Sequence, residues 1–185
     1  MIDDRTVSDI YQKHIKELLV YVCGFVKVKE TAEDILHDAF VRLIQYSLKY
    51  PLDESNIRAF LYKTARNICI DYMRKNRKKH ETPLHDNIEY TGSRSMHEDV
   101  EYNELKQRVA ELIEKKDPIS RSVYIMRIEL SQTYEEIAKN LGISERTAIR
   151  KMKSMLEYLS ETIEKHGFKI FFIILLAVII AKFVI

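Results

Sequence analysis

The chain has 185 residues and a nearly balanced net charge of +2, with 31% charged and 46% hydrophobic residues. This length favours two small domains over one large domain. Only 4 glycines and 3 prolines are present, and apolar residues recur at helical spacing, which together predict an all-α fold. Cys23, Cys69 and the scattered histidines have no metal-ligand spacing, so we expect free thiols and no metal or cofactor.

The first predicted domain, residues 1–80, opens with two amphipathic helices. The first helix extends from about Val7 to Lys29, and we expect no signal peptide because charged residues precede it. Thr31 is expected to cap the second helix. The apolar stripe of that second helix consists of Ile35, Leu36, Ala39, Phe40, Leu43 and Ile44.

A third helix is predicted to begin near Ile57, after a break over residues 50–56. It ends in a dense basic run, residues 74–79, which suits contact with a phosphate backbone. The alternative is a solvated basic helix end that is stabilised by the helix dipole. That alternative alone does not account for so many neighbouring charges.

The two domains are predicted to be joined by a flexible linker, residues 81–99. This segment contains proline, glycine and serine and has little apolar periodicity. The second predicted domain, residues 100–165, is also helical. Within it, Asp117 and Pro118 have the pattern of a cap followed by proline in the first helical turn.

Residues 133–152 form the most informative pattern in the chain, two short helices joined by a tight turn. Thr133 and Glu136 have the spacing of a capping box. Gly142 suits a left-handed residue that ends a helix, and Ser144 can cap the next helix, which is basic. The pattern predicts a helix-turn-helix that presents a recognition helix to DNA. A plain helical hairpin with a solvated basic face is the alternative.

The C-terminal segment, residues 168–185, is apolar except for Lys169 and Lys182. A helix of this length would rise about 27 Å, close to the thickness of a hydrocarbon core. Its two lysines lie near the ends, where they can reach the lipid headgroups. The segment therefore predicts a transmembrane or tail-anchor helix with the rest of the chain in the cytoplasm. A short hydrophobic helix docked on a partner protein is the alternative.

Three segments resemble the extracytoplasmic-function (ECF) sigma factors, a group of bacterial transcription initiation factors. Residues 32–43 (AEDILHDAFVRL) and 60–74 (FLYKTARNICIDYMR) resemble the signature of the second sigma region. Residues 134–138 (YEEIA) precede the recognition helix, as in the fourth region of that group. These motifs occur in the order found in the family and lie on both sides of a linker. Together they are therefore far more specific than any one of them alone.

The resemblance implies that the chain binds core RNA polymerase, recognises two promoter elements and helps to open the duplex. The implied polymerase-binding residues are Asp34, His37, Asp38 and Arg42. The residues implied for the downstream element and for melting are Tyr50, Asn56, Lys63, Arg66, Asn67, Asp71, Arg74 and Lys75. The residues implied for the upstream element are Ser144, Glu145, Arg146, Thr147, Arg150 and Lys151.

Ile149 departs from the family pattern, because this position is often basic in ECF sigma factors. Two interpretations remain open for it. Ile149 is either partly buried in a stripe that continues to Met152, or it contacts the methyl group of a thymine.

The resemblance also implies an anti-sigma partner, which in many family members spans the membrane. The C-terminal segment then predicts attachment to the inner face of the cytoplasmic membrane. The alternative function is a membrane-anchored helix-turn-helix regulator that does not act as a sigma subunit. We do not expect an enzyme, because the sequence has no glycine-rich phosphate loop, nucleophile elbow or metal-spaced cluster. The hinge between the two domains is expected to be flexible in the free protein.

Overall fold

The computed structural model of the chain describes residues 4–26, 28–50, 53–77 and 107–165. Every regular element in these ranges is an α-helix, so the predicted all-α fold is confirmed. The first half contains α1 (Asp4–Cys23), α2 (Lys29–Ser47) and α3 (Glu54–Arg77). The second half contains α4 (107–114), α5 (Pro118–Ile128), α6 (Tyr134–Leu141) and α7 (Glu145–Lys165).

Two predicted segments, the linker 81–99 and the apolar segment 168–185, lie outside the described residues. None of the helices within the described ranges has the length and apolar character needed to cross a membrane. The transmembrane or tail-anchor helix therefore stays a prediction.

The boundaries of the first helices differ from the predicted ones. The first helix ends at Cys23, before the predicted Lys29, because the chain turns at Gly24. The second helix begins at Lys29 with Val28 at its N-cap and no side-chain cap. The prediction that Thr31 caps this helix is therefore wrong, since Thr31 lies within its first turn.

The apolar stripe of α2 is confirmed over most of its length. It lies against α1 and α3 and contributes Ile35, Leu36, Ala39, Phe40 and Leu43 to the core. Ile44 is the exception, because it is 37% exposed near the C-terminal end of the helix. The stripe fixes the orientation of α2, and its polar residues consequently face away from the core.

The start of α5 follows the predicted capping pattern. The carboxylate of Asp117 accepts a hydrogen bond of 3.1 Å from the backbone N–H of Ser120, and Pro118 occupies the first turn. Partial burial raises the pKa of the Asp117 carboxyl, but hydrogen bonds from Ser120 and the nearby Lys151 outweigh this and leave it below its ordinary value. The cap holds α5 where its next turns meet the first half of the chain.

The two halves pack against each other through α1 and α3 on one side and α5 and α6 on the other. The hydroxyls of Tyr21 and Ser122 are 2.6 Å apart. Ser122 donates its own proton to the carbonyl of Pro118, so Tyr21 is the donor of the bond between the halves. The buried residues of the two halves form one continuous hydrophobic core within the part of the chain that the structure describes.

A second buried contact centres on Gln132, in the loop before α6. Its side-chain amide donates to the hydroxyl of Tyr62 at 2.9 Å. Its side-chain carbonyl accepts from Asn140 at 3.0 Å, and its backbone carbonyl accepts from Arg127 at 2.8 Å. These hydrogen bonds satisfy polar atoms that burial would otherwise leave without partners.

The turn after α1 receives Arg121 of α5. The guanidinium lies 4.7 Å from the ring centre of Phe25 and donates a 2.9 Å hydrogen bond to the carbonyl of Gly24. A Cβ at Gly24 would lie 2.4 Å from Cδ1 of Ile125, so the side chain of Ile125 would have to move to make room for it. Glycine at this position therefore allows α5 to approach the first half closely.

Arg58 of α3 joins three helices. It donates to Glu17 of α1 at 2.7 and 3.1 Å and to Glu136 of α6 at 3.2 Å. Partial burial raises the pKa of Glu17, but hydrogen bonds from His14 and Arg58 outweigh it and leave the pKa below its ordinary value. The pKa of Glu136 is lowered mainly by the backbone N–H of Thr133 and also by Arg58.

Candidate nucleic-acid interface and partner surface

The polar face of α2 is the first candidate surface. Because the apolar stripe of this helix points into the core, residues three and four positions apart on the opposite side form one continuous strip. All four predicted polymerase-binding residues are exposed on it. They are Asp34, His37, Asp38 and Arg42. The structure thus brings these residues together on a surface that a partner can reach.

The second candidate surface lies along α3. Its exposed side carries most of the residues predicted for the downstream element, and Asn56 is exposed in its first turn. Asp71 and Arg74 form an ion pair of 2.9 Å that is open to solvent. Such an exposed pair contributes little to stability, so both side chains can exchange it for another partner. The exposed members along the helix are Lys63, Asn67, Asp71, Arg74 and Lys75.

Arg66 differs from the other predicted phosphate contacts on α3. It is half-buried, and its Nη1 atom is buried with no hydrogen-bond partner among the described residues. Its charge lies close enough to Tyr21 to act on that buried phenol. In this arrangement Arg66 therefore lies against the junction of the two halves and does not project with Lys63 and Asn67.

An exposed aromatic cluster lies where α2 ends and α3 begins. The ring of Tyr46 is 4.9 Å from that of Tyr50 and 5.0 Å from that of Phe60. Tyr46 and Tyr50 are 40% and 54% exposed, and the neighbouring Leu48 is 65% exposed. Exposed rings of this kind provide faces on which unpaired bases can stack.

Of this cluster, the residues predicted from the sequence include Tyr50 but not Tyr46. The signal for Tyr46 was its position four residues before Tyr50, which places the two rings on one side of a helical turn. The predicted apolar stripe of α2 continues through Ile44. The structure shows that the stripe ends at Leu43 and that exposed aromatic residues follow.

The helix-turn-helix is formed by α6 and α7, with the local features that the sequence predicts. Thr133 accepts a 3.2 Å hydrogen bond from the backbone N–H of Glu136, and its own N–H donates to the Glu136 carboxylate at 2.8 Å. This confirms the capping box. Gly142 ends α6 with a φ of 65°, in the left-handed region where glycine is least strained.

Three of the predicted upstream-element residues have hydrogen-bond partners within the protein. The hydroxyl of Ser144 accepts from the backbone N–H of Thr147 at 3.1 Å, and their two hydroxyls are 2.8 Å apart. Lys151 is half-buried and donates to Asp117 at 3.1 Å. These contacts fix the start of α7 and tie the helix to the N-cap of α5.

The other side chains at the start of α7 face solvent. Glu145, Arg146 and Arg150 are exposed, and Ile149 is 45% exposed. The inner face of the helix is formed by Ala148, Met152, Met155, Leu159 and Ile163, which are at most 2% exposed. The interpretation that places Ile149 in the buried stripe is therefore wrong.

Comparison with known proteins places these surfaces in context. The family Sigma-70 region 2 matches residues 10–79. The chain is 34% identical over 74 residues to the ECF RNA polymerase sigma factor SigM of Bacillus subtilis (strain 168). That alignment covers 40% of this chain and 44% of SigM, less than half of the relative.

A longer alignment relates the chain to the RNA polymerase sigma factor YlaC of Bacillus subtilis (strain 168), with 30% identity over 145 residues. It covers 75% of this chain and 81% of YlaC. Among solved structures, CnrH in complex with the cytosolic domain of CnrY is similar, with a TM-score of 0.61 and 19% identity. The superposition covers 88% of this chain and 90% of CnrH, and at this identity it shows a shared fold.

Proposed function

Because the chain belongs to the ECF sigma factors of RNA polymerase, we propose that it binds core polymerase through α2 and reads promoter DNA through α3 and α7. Membership of this family makes the chain a non-enzymatic transcription initiation factor. It also favours a sigma subunit over a membrane-anchored regulator that acts without polymerase.

One observation carries the polymerase-binding part of the proposal. The polar face of α2 is exposed along its length, although the same helix is buried on its other side against α1 and α3. Asp34 and Asp38 lie one turn apart on this face, with Arg42 in the next turn. A mixed-charge strip on a rigid helix can form several charge-assisted hydrogen bonds with a protein partner.

The test is reversal of the two acidic charges, Asp34→Lys with Asp38→Lys, in the full chain. We expect the variant to fold as the wild type does, because both residues are exposed, and to lose binding to core polymerase. Co-elution with core enzyme and transcription from a library of promoter fragments are the measurements. A variant that still bound core polymerase normally would contradict the assignment of this surface.

A matched control is available on α7. Glu157 and Glu161 are also exposed and one turn apart. Their double replacement by lysine changes the net charge by the same amount at a different place. We expect this control to bind core polymerase. A loss of binding in the α2 variant would then result from where the charges were reversed and not from the change in net charge.

For the downstream element, the aromatic cluster and α3 supply two complementary kinds of contact. Tyr50 can stack on a base taken out of the duplex, while Lys63 and Arg74 can contact the neighbouring phosphates. Asn67 and Asp71 are exposed between these basic residues, and their side chains can form hydrogen bonds with a base edge. Permanganate footprinting of unpaired thymines would test this, and Tyr50→Ala should reduce the opened fraction.

For the upstream element, the start of α7 enters the major groove with Arg146 and Arg150 as the base-reading candidates. Arginine recognises guanine through two parallel hydrogen bonds. Ser144, Thr147 and Lys151 contribute through the placement of the helix, since their side chains already have partners in the protein. Glu145 is exposed at the first position of the helix and can accept a hydrogen bond from cytosine.

The proposal includes a further partner, an anti-sigma protein. The family resemblance suggests that this protein is membrane-bound. The support is that a chain of the same fold, CnrH, has been solved in complex with the cytosolic domain of another protein, CnrY. Promoter DNA and core polymerase lie in the cytoplasm, and the segment 168–185 would hold the chain at the inner face of the membrane. Membrane fractionation of the full chain and of residues 1–165 tests this attachment.

A further inference from the structure

The outer surface of the recognition helix carries an apolar side chain among charged ones. Ile149 is 45% exposed, whereas the adjacent Ala148 is fully buried. On a helix, residues three and four positions apart share a face, so Ile149 lies with Arg146 on one side and Lys153 on the other. Both of these basic residues are exposed, and Arg150 follows directly.

The polar residues nearby divide into two groups. Ser144 and Thr147 hydrogen-bond to each other, and Lys151 is paired with Asp117. No side-chain hydrogen bond or ion pair is described for Arg146 or Arg150 within the part of the chain that the structure covers. The side chains that project from the first two turns are thus charged, with Ile149 as their apolar neighbour.

We propose that Ile149 is a specificity-determining residue that contacts the 5-methyl group of a thymine in the upstream promoter element. This inference rests on the proposed function. Thymine is the base that presents a methyl group in the major groove of unmodified DNA, and an apolar side chain is its natural contact. Arg146 and Arg150 project from the same two turns of α7, so a helix that contacts DNA with them brings Ile149 to the same groove.

A methyl contact from Ile149 would distinguish this chain from family members with a basic residue at the same position. A lysine there would bind a phosphate or a guanine and would gain nothing from a methyl group. Isoleucine forms no hydrogen bond, so its contribution depends on the presence of the methyl group. The chain should therefore discriminate between two bases that differ only in that group.

The experiment replaces the thymines of the upstream element with deoxyuridine, one at a time. Deoxyuridine keeps all hydrogen-bonding groups of thymine and lacks only the methyl group. The protein is the full chain in detergent, assembled with core polymerase on a promoter found by transcription. The dissociation constant of each duplex is measured by fluorescence anisotropy with wild type, Ile149→Ala and Ile149→Val.

We expect one deoxyuridine position to weaken binding by wild type about fourfold, the effect of one methyl group removed from water. Ile149→Ala should bind the two duplexes equally at that position. Ile149→Val keeps a branched apolar side chain and should keep most of the discrimination. Arg150→Ala serves as a comparison, because it should weaken binding to both duplexes and leave their ratio unchanged.

Two results would overturn the inference, and they are distinguishable. If the protein initiates transcription but no deoxyuridine position separates wild type from Ile149→Ala, the contact does not exist and the proposed function stands. If the protein drives no transcription with core polymerase, the proposed function fails and the inference fails with it.

Discussion

The junction between the two halves and the outward faces of α2, α3 and α7 use similar residues in opposite ways. At the junction, Arg58, Arg121 and Gln132 hydrogen-bond to defined groups on neighbouring helices. On the outward faces, residues such as Asp38 and Arg146 are exposed to solvent. The difference shows that charge alone does not identify a binding surface here. Exposure, together with the contacts a residue already makes, separates architectural residues from those available to a partner.

The largest difference in free energy of unfolding is expected when a tyrosine is replaced by alanine in each of the two regions. Tyr62 is fully buried at the junction, with its ring 4.9 Å from that of Tyr21, whereas Tyr50 is 54% exposed. Tyr62→Ala should lower the free energy of unfolding by about 3–5 kcal/mol, because it leaves a cavity and removes one of the hydrogen-bond partners of Gln132. Tyr50→Ala should change it by less than about 0.5 kcal/mol. Urea denaturation measures the free energy of unfolding of both variants. Equal losses would contradict the distinction between the buried junction and the exposed surface.

A smaller effect is expected from crowding at the junction. Gly24→Ala places a Cβ against Ile125 and should cost about 1–3 kcal/mol, the usual range for overpacking. Ile125→Ala removes the atoms that the new Cβ would meet. The double variant should therefore be more stable than the sum of the two single changes predicts. Strict additivity in urea denaturation would mean that the two residues are not in contact.

The smallest effect is expected from pH acting on the Arg58 contact. The pKa values of Glu17 and Glu136 are lowered in the folded chain, so both carboxyls favour folding when they are ionised. This contribution is fully present above the ordinary value of 4.5 and is lost as the pH falls through the folded-state pKa values. Glu17→Gln should flatten the dependence of stability on pH in that acidic range.

Arg58→Met provides an independent check on the same prediction. It leaves both carboxyls in place and removes the charge that helps to lower their pKa values. Its stability should therefore depend less steeply on pH below 4.5 than that of the wild type does. Unfolding curves recorded at a series of acidic pH values measure this slope, and an unchanged slope would show that Arg58 has no such role.

Features set by neighbouring residues were predictable from the sequence. The capping box at Thr133, the left-handed Gly142 and the cap at Asp117 each depend on residues within one helical turn. The same holds for the exposed face of α2, since its buried stripe fixes the opposite side. These are local patterns, and the helices follow them closely.

Features set by contacts between distant residues were not predictable. Arg58 lies 78 positions before Glu136, and Tyr21 lies 101 positions before Ser122, so no spacing rule relates them. The prediction that Ile149 belongs to the buried stripe of α7 was wrong for another reason. A small shift in helical phase moves a residue between the inner and outer faces, and Ala148 occupies the place that the predicted stripe gave to Ile149.

The shared core also determines how a partner's affinity depends on the arrangement of the halves. Separating them would expose Tyr21 and Tyr62 and would leave Ser122 and Gln132 without their contacts across the junction. A partner that binds only the separated form has its apparent affinity reduced by the fraction of molecules that are open. A partner that binds the joined form has no such reduction. Substitutions that loosen the junction should therefore tighten the first kind of complex and weaken the second.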